Sequence, residues 1–584
     1  MRTVVYQLFV RHFSNFTTGG EPWGSKAVNG CGTFNGVTDA ALQALAQMGI
    51  THLWLTGVLR HATQTAYEAL PADPACTVKG IAGSPYAVTD FYDVDPDLAV
   101  NPAERMAEFR ALLQRIRRWG MVPMLDFIPN HVARNYRSTV RPEMSFGAGD
   151  DTSRFCAWDN SFYYMEPQNS DWWLNLPQGE FTPERGHGRV TGNNAAVWAP
   201  SEFDWYETVK LNYGCDYRQG PAAANALPPC LTPAAQVPRT WRLMDDVIAY
   251  WQGMGVGGFR CDMAHMVPLP FWRWLLVNSR LRDASAFFMA EGYDDHMSLA
   301  GCAVQNGLLG AGFNGVYDGA AYERLRNTVA GHAWCNDWDA LNHAHLPQFY
   351  GGVRYIENHD ERRMASPQFT ERGSAEAVMP AAMALQYTTT CGPVLVYNGQ
   401  ECAERADGPG GFGGDNGRTS IFDYTNLPRL QHWTNGGAYD GALLTPQEKQ
   451  LRDFTAALLP LLQHPALSKG GFYGLNWSNQ QTAGFGRAAG DAVSGRSLYA
   501  FLRHYRKAKA TVLVICNLSA EPAATSVHIP RNAQEWAGKK PGRYSFRNLL
   551  DPADPAVEAD DEQLCTTGLP IQVAPGGALL LEWS

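Results

Sequence analysis

The sequence predicts an α/β fold: a (β/α)8 TIM barrel with an inserted subdomain after strand 3 and a C-terminal antiparallel β-sandwich. Three observations carry this. Short apolar runs alternate with amphipathic helical stretches through the first three-quarters of the 584 residues, as a parallel sheet wound with helices requires. Several of those runs end in an acid that a core would not tolerate unpaired, which places acids at strand ends around one site. After Leu462 the helical spacing gives way to short strands separated by turn residues.

Strands are expected at 4–10, 51–55, 122–127, 257–262, 286–291, 313–317, 353–358 and 393–398, the count a closed barrel needs. Between the first two, Leu42, Leu45 and Met48 share a helical face, with Thr38 as cap and Gly49 as stop. Met106, Phe109, Leu113 and Ile116 do the same before Gly120. More than a hundred residues rich in Asn, Gly, Pro and Trp separate the third strand from the fourth. A structureless loop of that length is improbable inside a compact domain, so it reads as an inserted subdomain. The expected division is 1–131 and 241–462 for the barrel, 132–240 for the insertion and 463–584 for the sandwich. Strands of the sandwich are expected in the runs SLYAFLRHY, ATVLVICNL and GALLLEW.

With 45% hydrophobic and 18% charged residues the chain is globular. Its net charge of −10 argues against a nucleic-acid or acidic-membrane partner. The amino terminus runs directly into a strand without an apolar leader, and no stretch is long enough to span a membrane, so a cytoplasmic location is expected. The 12 cysteines show no metal spacing. Cys261 and Cys391 read as buried thiols; Cys215 and Cys230 would pair only in an oxidising compartment.

The chemistry lies at the strand ends. Arg260 and Asp262 are two apart on one strand and share a face, while Cys261 points away. A guanidinium beside a carboxylate favours its ionised form, ready for attack. Glu291 follows the apolar run FFMA, a setting expected to raise its pKa and keep it protonated. An ionised and a protonated carboxyl on opposite sides of a bond are the equipment of glycoside hydrolysis, retaining if they lie about 5–5.5 Å apart. Asp360 and Asp126 end two further runs, and the pairs Asn130–His131 and Asn358–His359 supply groups suited to sugar hydroxyls. Neither histidine has a second at ligand spacing, so a metal reading is disfavoured and no metal ligand is assigned. The 18 Trp and 24 Tyr suit sugar faces.

DFIPNH (126–131), GFRCD (258–262), MAE (289–291) and ENHD (357–360) occur in order at suitable strand ends. Together they resemble the four signature regions of the α-amylase superfamily, glycoside hydrolase family 13. SPYAVTDFYDVDP (84–96) resembles its early tyrosine loop. The resemblance implies a retaining hydrolase of α-glucosidic bonds, most simply the α-1,4 links of starch-like glucans or malto-oligosaccharides. A transglycosylase using the same residues is the alternative. A non-catalytic sugar-binding member would usually have lost an acid, and none is missing. By that resemblance Asp262 is the nucleophile, Glu291 the general acid/base and Asp360 the support for the transition state. Arg260 orients Asp262, His131 and His359 bind hydroxyls, Tyr86 stacks on the sugar and Asp126 braces the site. No cofactor is required for the chemistry. The family's structural calcium makes Asn130 a candidate ligand, with Asp150, Asp151 and Asp159 as further acids, although the family's LysHis pair after the nucleophile is replaced by His265 and Met266. The glycine-rich segment 411–424 after the eighth strand reads equally as a surface turn or as a loop in which Asp415 or Arg418 contacts a second sugar.

Overall fold

In the computed structural model, which describes residues 1–166, 172–301, 303–343, 345–406 and 416–584, the eight apolar runs form one parallel barrel. Its strands are β1 (Val4–Phe9), β2 (His52–Thr56), β3 (Val122–Phe127), β4 (Gly258–Cys261), β5 (Phe287–Ala290), β6 (Gly315–Tyr317), β7 (Gly352–Val353) and β8 (Val394–Tyr397). They neighbour one another in chain order, with β8 beside β1. The ring closes between β7 and β8, where Arg354 N donates to Pro393 O at 3.0 Å and Leu395 N to Arg354 O at 2.9 Å.

A helix follows each strand: α1 (Asp39–Gln47), α2 (Arg105–Arg118), α3 (Arg239–Gly253), α4 (Leu269–Arg282), α5 (Val304–Ala311), α6 (Gly319–Ala330), α7 (Met379–Thr388) and α8 (Pro446–Leu461). Their starts are chemically marked. Thr38 accepts from Ala41 N at the head of α1, and Thr445 and Glu448 form a reciprocal capping box on α8. Helix α2 buries Phe109, Leu112, Leu113 and Ile116 against the sheet, the face its spacing predicts.

The expected strand at 353–358 is a correction. β7 has only two residues, because the chain beyond Arg354 leaves the ladder to serve other partners. Glu357 accepts from Met364 N at 2.7 Å and pairs with Arg363 at 2.9 Å. Asp360 therefore lies on a loop and not at a strand end. β1 stops at Phe9, since Val10 starts a short helical turn. Cys391 precedes β8 and is half-buried, its thiol beside Gly470 O. Cys261, Cys215 and Cys230 are free thiols.

At the start of the insertion His131–Ala133 pairs with Thr208–Lys210, and within it Leu174–Leu176 pairs with Gly179–Phe181, both antiparallel. Tyr163, Met165, Leu174, Phe181 and Val190 form a small core of their own. The C-terminal strands are β9 (Gly471–Gly474), β10 (Leu498–Tyr505), β11 (Ala510–Asn517), β12 (Ala523–Val527), β13 (Arg543–Asn548), β14 (Val557–Asp560), β15 (Leu569–Val573) and β16 (Ala578–Trp583). Six make one antiparallel sheet in the order β9-β10-β11-β16-β13-β14, and β12 pairs with β15. Alternation along β10 and β11 serves two cores. Leu498, Ala500, Leu502, Leu513 and Ile515 face the sandwich interior, while Tyr499, Phe501, Val512, Val514 and Cys516 join the barrel's core. Among the described residues no helix is long and apolar enough to cross a membrane.

Asp318 holds the closing seam. It is 6% exposed, pairs with Arg354 Nε at 2.8 Å and caps α6 through Ala321 N at 3.1 Å. Removing one member of a buried pair strands the other charge, so Asp318→Ala is expected to cost about 3–5 kcal/mol, read as a lower urea midpoint. Replacing both partners together by Leu and Met recovers most of that loss.

Candidate active site

One buried cation organises the mouth of the barrel. In the register Arg260 lies opposite Asp126 on one side and Met289 on the other. Asp262 and Glu291 each stand two residues beyond these positions, so period-2 alternation aims all four side chains into the barrel. Arg260 is fully buried. Its Nη1 reaches Asp262 Oδ1 at 2.6 Å and Asp126 Oδ1 at 3.9 Å. Its Nη2 reaches Glu291 Oε2 at 2.8 Å and Asp360 Oδ2 at 3.9 Å. The rings of Trp54, Tyr86 and Tyr317 surround the guanidinium at 5.2, 5.5 and 5.6 Å.

Glu291 is not in the apolar setting its preceding residues suggest. Its Oε2 also accepts from Met263 N at 2.9 Å, because the side chain leaves the strand end for the polar mouth. Met263 adopts a left-handed conformation, φ 44° and ψ 42°, which costs a non-glycine residue free energy and turns its N–H toward Glu291. The Asp262 Oδ2 has no protein partner among the described residues.

His359 is clamped from three sides. Gln7 Nε2 lies 2.8 Å from its Nδ1, and its Nε2 lies beside Tyr86 Oη at 2.7 Å and Asp360 Oδ2 at 3.0 Å. Tyr86 stacks on it with centroids 5.4 Å apart. His131 lies under Trp205 at 5.3 Å and touches Asn130 Nδ2 at 3.2 Å. Asp126 Oδ2 accepts from Gly57 N at 3.1 Å. A cavity of about 360 Å³ brings together Tyr86, His131, Asp262, Glu291, His359 and Asp360; Arg260 and Asp126 lie beneath it.

Burial pushes the Asp262 carboxyl well above the usual carboxylate range, with Arg260 opposing it. Burial likewise lifts Asp360 and takes Asp126 to about 6. Burial, with Asp360 adding repulsion, takes Glu361 to about 7. Asp262, Asp126 and Asp360, three of the four carboxyl groups around the Arg260 guanidinium, thus retain protons where isolated acids would have lost them. Burial keeps both histidines neutral, each lowered to about 3.

The same cavity is lined by residues that the motifs do not mark: Lys79, Trp205, Glu207, Tyr293 and Glu361. Glu207 is 4% exposed with an unpartnered Oε2. A lone acid beside Trp205 within a strand-like run is the signal that could have found it. Arg418 reaches the cavity; Asp415 lies outside the described residues. The candidate calcium donors do not converge. Asn130 Oδ1 accepts from Lys210 Nζ at 2.6 Å. Asp150 accepts from Ser161 N and Phe162 N, Asp151 from Ser153 and Asp159 from Arg239 N. No cluster of three or more His, Cys, Asp or Glu suited to a metal occurs among the described residues. A calcium ion, which needs several converging oxygens, does not fit this donor set.

A parallel (β/α)8 barrel whose acids gather at the C-terminal ends of its strands is the architecture of a barrel enzyme. Residues 7–289 match the family model described as "Alpha amylase, catalytic domain", and over them the chain is similar to the α-amylase family. It is 24% identical over 260 residues to Maltase 1 of Drosophila virilis, covering 44% of this chain and 31% of that protein. With Alpha-amylase MalA of Haloarcula japonica it shares 24% over 413 residues, 69% of this chain and 44% of the relative. The chain thus spans less than half the length of these curated relatives. A noncanonic maltogenic α-amylase AmyB from Thermotoga neapolitana shares the fold at a TM-score of 0.57 and 20% identity, covering 100% of this chain and 98% of that one.

Raising Asp126 from 3.8 to about 6 means that the folded state binds its proton more tightly than the unfolded chain. The resulting stability is fully present below about pH 4 and is lost as pH rises through about 6, about 3 kcal/mol in all. Asp126→Asn is therefore expected to gain stability over the parent protein progressively between about pH 4 and about pH 7, in melting temperatures measured across that range. A pH-independent difference would contradict it.

Proposed function

We propose that the protein is a retaining α-glycoside hydrolase acting on α-glucosidic bonds, with the α-1,4 links of malto-oligosaccharides or starch-like glucans as substrate. The observation that carries this is the single buried guanidinium paired with Asp262 and Glu291 at once, while Asp262 lines the cavity with its Oδ2 left without a hydrogen-bond partner among the described residues. Asp262 attacks the anomeric carbon in its ionised form, which Arg260 supports against burial, as the glycosidic C–O bond breaks, and Glu291 gives its proton to the departing oxygen. Glu291 then takes a proton from water, which displaces Asp262 from the covalent intermediate and releases the sugar with its configuration retained. Asp360, with His359 on its Oδ2, engages hydroxyls of the distorted ring, and Tyr86 stacks on its face. In this reading residues 1–131 and 241–462 carry the chemistry, 132–240 shapes the sugar site and 463–584 supports the barrel. No metal takes part in bond cleavage.

Asp262→Asn is expected to lower kcat about 10³-fold or more without loss of fold; near-parental turnover would sink the assignment. Glu291→Gln loses about 10²–10⁴-fold on poor leaving groups and far less on good ones. Equal losses on both would remove it from the acid role. A panel of maltose, malto-oligosaccharides, isomaltose, trehalose and sucrose, with all products resolved, separates the two outcomes of the intermediate. Shortened products mark hydrolysis, and products longer than the substrate mark glycosyl transfer.

A further inference from the structure

We propose that Lys210 is a positioning residue whose buried amine, acting through Asn130, fixes His131 as the Nε2–H tautomer at the wall of the cavity and takes up the Asn130 oxygen that a metal ion would need. Lys210 ends the strand Thr208–Lys210 and lies opposite His131 in the antiparallel register. It is 2% exposed, and no carboxylate lies within 4.0 Å of it among the described residues. A lysine in such a place is costly unless its charge is used. Its Nζ gives a 2.6 Å hydrogen bond to Asn130 Oδ1 and sits 5.4 Å from the Tyr217 ring centroid.

That bond determines which way round the Asn130 amide lies. Asn130 Nδ2 donates to Gly192 O at 2.8 Å. A flipped amide would set Nδ2 against the ammonium and Oδ1 against that carbonyl, losing both bonds at once. With the amide fixed, the atom facing His131 Nδ1 at 3.2 Å is Nδ2, which can only donate. Nδ1 therefore carries no proton, and the ring's one N–H is at Nε2. Burial lowers the Lys210 amine to about 7; charged or neutral, its Nζ donates to Asn130 Oδ1 at 2.6 Å and so takes up the oxygen that a divalent cation would need.

The effect on turnover rests on the sugar-cleaving reading above; the effects on proton position and on metal dependence do not. Neutron diffraction from crystals of the full chain is expected to show deuterium on His131 Nε2 and none on Nδ1. EDTA is expected to leave the melting temperature unchanged, as is added calcium. Lys210→Met is expected to lower kcat/KM about 10–100-fold, mainly through KM, and to mix the His131 tautomers in the same neutron experiment. Lys210→Arg, which keeps the donor and the charge, restores part of the loss. Deuterium on Nδ1, or a fall in melting temperature with EDTA that calcium reverses, overturns the proposal. So does a folded Lys210→Met protein with a single, unchanged tautomer. If Lys210→Met does not fold, the parental neutron structure and the chelation experiment still decide. If no glycoside is turned over, the sugar reading fails and those two measurements stand.

Discussion

The sharing of one buried guanidinium among four carboxyl groups is the constraint on which the site depends. Arg260 can lie fully inside the barrel only because Asp262 and Glu291 bond it directly and three aromatic faces line the remaining space. In turn, those acids can converge only because a cation separates them. Four negative charges around one positive charge cannot all persist in a desolvated pocket, so the geometry itself keeps protons in stock. A site that must deliver an attacking anion and a proton donor to the two sides of one bond gains both from that imbalance.

Much of this was legible in the chain. The strand positions followed from apolar runs, α1 from its Thr38 cap, and the shared face of Arg260 and Asp262 from simple alternation. What could not be read was anything that depended on long-range pairing. Nothing in the apolar run itself says that β7 is two residues long, because its truncation reflects the bonds of Glu357 to Arg363 and Met364 in the loop that follows. Glu291 looked apolar since sequence shows the residues before it and not Met263 N across the gap.

The insertion was the least legible part, for the same reason. Its strand Thr208–Lys210 pairs with residues 131–133, far away in the chain, and only that register reveals Trp205, Glu207 and Lys210 as neighbours of the site. A single lysine inside an apolar run, as in TVKL, is a local conflict between charge and burial. Such conflicts mark places where a fold has a use for the charge.

The two-faced sheet formed by β10 and β11 bears on how the protein is assembled. Successive residues belong to different cores: Tyr499 and Phe501 to the barrel's, Leu498, Ala500 and Leu502 to the sandwich's. No solvent-facing row remains along this stretch, so the boundary near residue 462 is a change of architecture without being a seam. The terminal region behaves as a shared wall: neither half has a finished surface until the other is present, and the two form a single inheritable unit rather than a catalytic module with an optional accessory.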